Sequence, residues 1–280
     1  MDSLIAELML LKKRVSVYIL LGFWLLLTVG FAYLLPYYAY KENLKFREHG
    51  GAILLSNLLP QHLVTTMLPG FPFFGGVFIL ILAVLAFGSE YNWGTLTTVF
   101  CQRDSRLRIF FSKLAAVAIA IVPFVVFVFL LGYIASALIA WHEGLSMALP
   151  SLWDLVRALA AGWFIMAVWA SFGVVIAIIS RGTALAIGLG IIYGLVLEGI
   201  IASFANQITL LDYISKAFLR TNSYSLIAPL GAIGAGEGPG SFSGGTVSAL
   251  QAGTVLGIEV VVFVAVAAFL LRRRDVAGGS

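Results

Sequence analysis

The sequence predicts an all-α integral membrane protein with six transmembrane helices and both termini on the inner side. Three observations predict it. The 280 residues are 61% hydrophobic and 11% charged, with a mean hydropathy of +1.04, whereas a soluble domain is about 45–50% apolar and about 25% charged. Six windows, 17–36, 71–88, 114–139, 155–179, 184–204 and 248–271, are apolar over the roughly 20 residues a helix needs to cross the hydrocarbon core. The basic residues between them are unevenly placed. With the N-terminus inside, Lys12, Lys13, Arg14, Arg103, Arg106, Arg108, Lys113, Arg181, Arg272, Arg273 and Arg274 are inner, eleven in all, against six outer ones: Lys41, Lys45, Arg47, Arg157, Lys216 and Arg220. That asymmetry sets the orientation, with Arg272–Arg274 directly after the last window as its strongest element.

The net charge of +4 is thus spent on topology, and no nucleic-acid partner is implied. With Cys101 as the sole cysteine, no intrachain disulfide can form.

In chain order, residues 2–13, DSLIAELMLLKK, place Leu4, Ile5, Leu8 and Leu11 at near-helical spacing with Asp2, Glu7 and Lys12 between them. An elbow helix lying on the inner membrane surface is expected. The first window is too long for the apolar core of a signal peptide, so it reads as an uncleaved span. The outer segment 37–70 opens on the aromatic PYYAY, suited to an interfacial belt. Within it 51–68 carries Asn57, Pro60, Gln61 and His62 at its centre, so it reads as interfacial or re-entrant rather than spanning. The second long outer segment, 205–247, contains the amphipathic ITLLDYISKAFL and then GAIGAGEGPGSFSGG, whose glycines predict a mobile loop. Its short helix reads either as a lid dipping into the outer mouth or as a helix lying on the surface. The whole, 1–280, reads as one transmembrane domain.

Two carboxylates fall inside predicted spans. Glu198 follows Gly190 and Gly194 at i+8 and i+4, which places the three on one helical face where a neighbouring helix can approach closely. Glu198 and Glu259 are open to two readings. Each is either a translocation-path or proton-sensitive residue, or a neutral carboxyl hydrogen-bonded to an adjacent helix. His49, His62 and His142 have no metal-ligand spacing, and no metal or catalytic group is predicted. No G-x-x-x-x-G-K-[ST] occurs, so no nucleotide cofactor is expected on this sequence.

The inner segment SEYNWGTLTTVFCQRDSRLRIFFSK, 89–113, is patterned more closely than a topology loop requires. Apolar positions Tyr91, Trp93, Leu96, Val99 and Phe100 alternate with polar ones at spacings compatible with a short helix, and Arg106, Arg108 and Lys113 are placed to meet head groups. Its order, Glu90, Gly94, Thr95, Leu96 and Thr98, then a turn with Arg103 and Arg106, then Ser-Lys113-Leu114, resembles the permease subunits of ABC type-2 exporters. Thr97 and Asp104 depart from it, since many members carry a basic residue and a small residue or proline there.

The resemblance implies a mechanism. The segment would be a coupling helix seated on a separate ABC ATPase, which holds the ATP and Mg²⁺, and the permease would act as a homo- or heterodimer. Glu90, Tyr91, Trp93, Gly94, Thr95, Leu96, Arg103 and Arg106 would make that contact, Arg181 in the short inner loop SRGT would add to it, and the elbow would brace it. An exporter of amphipathic or hydrophobic substrates in the cell's inner or plasma membrane is the expectation. An ion- or proton-coupled carrier or channel using Glu198 and Glu259, and a membrane assembly protein without transport, are the alternatives.

Overall fold

The computed structural model describes residues 2–46, 51–92, 106–205, 207–231 and 247–273, and among them no strand occurs. Helix α1, Asp2–Lys13, leads into α2, Val15–Val29, which continues through a π-helical stretch, Gly30–Leu34, into α3, Leu35–Phe46. After α4, Gly51–Asn57, a 3₁₀ turn at Pro60–His62 and α5, Leu63–Met67, precede a second π stretch, Phe71–Gly75, and α6, Gly76–Asn92. Helix α7 is Arg106–His142 and α8 is Leu152–Ser180. Helix α9, Thr183–Ile191, passes through a third π stretch, Ile192–Leu197, into α10, Glu198–Ala205. Two short helices, α11, Thr209–Ser215, and α12, Leu219–Ile227, precede α13, Ala249–Arg273.

Six stretches are long and apolar enough to cross a membrane: Val15–Glu42, Pro60–Ser89, Leu107–His142, Leu152–Ser180, Thr183–Ile201 and Ala249–Arg273. The run containing 71–88 therefore begins at Pro60. Proline fits there because the first turn of a helix leaves its amides unbonded anyway, and Pro60, Leu63, Val64 and Met67 are buried, with α5 packed on α7. Polar Gln61, which made this stretch look unsuited to lipid, is exposed at its end.

The fourth span is the axis of the bundle, 67% buried over its apolar window against 11% for the first. Helix α8 packs against α6, α13, α9, α7 and α12. Its closest neighbour is α6, because Gly173 has no side chain: a Cβ there would stand 2.8 Å from the Leu80 carbonyl oxygen. The consecutive Gly75 and Gly76 of the second span each receive a buried tryptophan, Trp24 from the first span and Trp169 from the fourth. Trp24 then meets Phe71 edge-on at 5.4 Å and Phe124 in a stack at 6.3 Å. This small-residue, aromatic-wedge packing suits a bundle in lipid, where close contact rather than exclusion of water draws helices together.

The π stretches lie within the first, second and fifth spans. In the second, Pro72 withdraws one donor from the ladder, and the Gly76 N–H reaches back to the Phe71 carbonyl, one residue further than in an α-helix. Helix α7 ends on Gly144 in the left-handed conformation, φ 68°. The Leu145 N–H then closes on the Ala140 carbonyl at 2.8 Å, a helix stop in which only glycine is unstrained.

Candidate functional site: the flanks of a patterned loop and a buried carboxylate

At one end of the bundle, here called proximal, the structure gathers the flanks of the patterned segment. Glu90 and Tyr91 occupy the last turn of α6 and Arg106 opens α7, while Trp93, Gly94, Thr95, Leu96 and Arg103 lie outside the described residues. Arg14, in the break between α1 and α2, donates to the Leu85 carbonyl at 2.6 Å and to Ser89 Oγ at 3.1 Å. Helix α1 thereby holds the upstream flank. It reaches the downstream flank as well: Glu7 lies 3.8 Å from Lys113 Nζ, and that ammonium sits over the Phe87 ring. Lys113 is buried rather than placed among head groups, because α1 covers it and supplies the opposite charge.

The loop holding Arg181 adjoins this cluster. A Cβ on Gly88 would lie 3.0 Å from Thr183 Cγ2 and 3.5 Å from the Gly182 backbone, so the turn at 180–183 rests on the end of the second span. Arg181 itself is exposed and left-handed, φ 53°, a conformation that a side chain other than glycine adopts at a cost. The predicted proximal residues Glu90, Tyr91, Arg106 and Arg181 thus belong to elements that meet at one end.

At the opposite, distal end, Glu198 is only 1% exposed. It stands immediately after the π stretch of the fifth span, its own N–H bonded to the Tyr193 carbonyl. Its Oε2 accepts the backbone N–H of Arg220 at 2.9 Å and lies 4.0 Å from Arg220 Nε, while its Oε1 is buried without a hydrogen-bond partner among the described residues. Arg220 is the second residue of α12, so a carboxylate from the fifth span caps a helix that begins 21 positions later in the chain, at Leu219. The N-terminus of a helix presents unbonded amides, and an acceptor oxygen so placed satisfies one of them.

The predicted seam separates into three contacts. Gly190 accommodates Leu80 of α6, Gly194 accommodates Trp169, and Glu198 meets α12. Glu259 lies within electrostatic reach of Glu198, with its Oε2 buried and without a hydrogen-bond partner among the described residues. In the sequence Arg220 reads only as an outer cation. A lone arginine in the apolar stretch after an intramembrane glutamate was the available signal for this pair.

The distal ends of the first and third spans are clasped together. Glu143, just beyond α7, accepts from Lys41 Nζ at 2.6 Å, Tyr37 Oη at 2.6 Å and Tyr40 Oη at 3.3 Å. The Lys41 contact, followed by the tyrosine, holds the Glu143 carboxyl down at about 2.

A family model described as ABC-2 family transporter protein matches residues 3–197. The chain belongs to the ABC-2 family of transporter proteins. Among curated proteins no match is found. Membership and the six apolar stretches make this ABC-2 chain a multi-pass transmembrane transporter permease, of a family that partners ABC ATPases in general. The matched stretch ends one residue before Glu198, so the Glu198–Arg220 contact and Glu259 lie beyond it.

Proposed function

We propose that this chain is the membrane-spanning subunit of an ATP-driven exporter whose ATPase is a separate protein docking on the 89–108 segment. The observation that carries the reading is the convergence of α1, the end of α6, the start of α7 and the 180–183 turn on the flanks of that segment, in a chain of the ABC-2 family. A push on the segment is delivered to the second and third spans directly, to α1 through Arg14 and Lys113, and to the fourth and fifth spans through Gly182 and Thr183. In this reading α1 is the elbow on the inner membrane surface, both termini are inner, and the partner supplies ATP and Mg²⁺ and carries out hydrolysis. A second copy or a paralogue completes the permease. The substrate class is amphipathic or hydrophobic, in keeping with spans that carry few fixed charges, and the membrane is the inner or plasma membrane.

The test is affinity capture of the detergent-solubilised protein from its native membranes, with and without trapped ATP. A P-loop ATPase should accompany it, and Glu90→Ala or Arg106→Ala should leave insertion intact while uncoupling hydrolysis from transport. Absence of an ATPase under both conditions would overturn the reading.

A further inference from the structure

Helix α12 is unusual for so buried an element. Its sequence, LRTNSYSLI, is mostly polar, yet Leu219, Arg220, Asn222, Ser223, Ser225 and Ile227 are all buried against α8, α13 and the 71–75 stretch. Three of its polar side chains donate to carbonyls close by in the chain. Ser223 donates to the Leu219 carbonyl at 2.6 Å, Ser225 to Thr221 at 2.8 Å, and Asn222 to Lys216 and Phe218 at 2.8 and 2.9 Å. The two serine bonds travel with α12 if it moves, whereas those of Asn222 reach the turn just before it. Its hydrogen bonds to distant parts of the chain include Arg220 N–H to Glu198 at 2.9 Å, Tyr224 Oη to the Pro69 carbonyl at 3.4 Å and Val247 N–H to Ser225 Oγ at 3.4 Å. The Glu198 bond is the shortest of these and falls in the first turn of α12, where backbone N–H groups have no partner within the helix. Turns bound α12 on both sides, at 216–218 and at Gly231, whose φ of 70° is left-handed.

Glu198 sits where its position can be switched. In the π stretch Ile192–Leu197 directly before it the hydrogen bonds reach one residue further back than in an α-helix, and relaxation to α geometry swings the following residue around the helix axis. The other end of this fifth span, Thr183, rests on Gly88 beside the patterned segment. We propose that Glu198 is a latch: by capping α12 it seats this helix in the distal mouth of the bundle, and α12 leaves its seat when movement of the fifth span withdraws the carboxylate. This rests on the exporter reading for what moves the span. The capping itself does not depend on it.

The test reads accessibility of α12 with a membrane-impermeant maleimide on the full chain in native membranes. In a Cys101→Ser background, Ser223→Cys reports on α12, and Gln207→Cys, at an exposed position, serves as the reference. Ser223→Cys should be protected. Adding Glu198→Ala should speed its labelling about tenfold or more, whereas Glu198→Gln, which keeps an oxygen to accept the Arg220 amide, should stay close to the parent. Labelling at Gln207→Cys should be unchanged throughout. Equal labelling in parent, Ala and Gln variants, or equal acceleration by Ala and Gln, overturns the latch.

If Glu198→Ala does not reach the membrane, the chain with Glu198 intact decides. ATP with vanadate should accelerate Ser223→Cys labelling, and identical rates with and without nucleotide overturn the opening. Failure to capture an ATPase sinks the exporter reading alone, because the Ala and Gln arms need no nucleotide.

Discussion

Trp169 shows how single residues set this bundle. Its fully buried ring lies between the second and fifth spans, where a Cβ on Gly76 would be 2.7 Å from Cδ2 and one on Gly194 2.9 Å from Cη2. Gly76→Ala should therefore lower thermal stability in detergent by several degrees, since overpacking a rigid site costs about 1–3 kcal/mol. Gly188→Ala, in the same fifth span but with nothing within 4 Å of its Cβ position, should not. At the proximal end Arg181 separates backbone from side chain. Arg181→Gly relieves the left-handed conformation, worth about 1 kcal/mol, so the melting temperature should hold or rise while affinity for the ATPase falls. A lower melting temperature would show that the guanidinium supports the fold instead. Residues of this kind are only half legible in sequence. That Glu198 is anomalous follows from its apolar neighbours, but its partner cannot be read, because Arg220 reaches it through a turn of the chain that hydropathy does not encode. Gly190 and Gly194 are places of close approach, and the side chains filling them, Leu80 and Trp169, come from other spans.

At the scale of elements, hydropathy located six apolar stretches because each must bury its own backbone bonds in lipid, but it set their ends poorly. The second begins at Pro60 and the third extends to His142, since polar residues at a helix end can be exposed or bonded without breaking it. The clasp between the first and third spans is one such end, and its pH dependence has a definite sign. Glu143 has its carboxyl held at about 2 against an ordinary 4.5, chiefly by Lys41 and then Tyr37. A depressed carboxyl stabilises the folded state above its unfolded value and loses that contribution as pH falls through the folded one. Thermal stability should thus decline between about pH 5 and about pH 2, and the decline should be shallower in Glu143→Gln, measured by melting the detergent-solubilised protein across that range. Parallel curves would remove the clasp from the stability of this end.

For the whole molecule, the proposed exporter takes its direction from the positive-inside count and its point of applied force from the patterned segment, while neither indicates how that force crosses the bundle. The contacts supply a route: Gly88 to Thr183, along α9 and the π stretch to Glu198, and on to α12. A route is only a proposal until its two ends are shown to bias each other, and thermodynamics makes the check symmetric. If nucleotide binding on the ATPase favours an unseated α12, then holding α12 in its seat must weaken the nucleotide-trapped state by the same factor. Leu226 of α12 lies against Gly253 of α13, its Cδ1 3.6 Å from where a Cβ would stand. Leu226→Cys with Gly253→Cys, in the Cys101→Ser background and bridged by a short bifunctional thiol reagent, ties the two helices together far from the ATPase. Bridging should weaken ATP–vanadate trapping by about 5-fold or more, the low end of ordinary coupling between sites, and cleaving the bridge should restore it. If trapping is the same with the bridge intact and cleaved, α12 takes no part in the nucleotide-driven change, and the distal end answers to something other than the loop at 89–108.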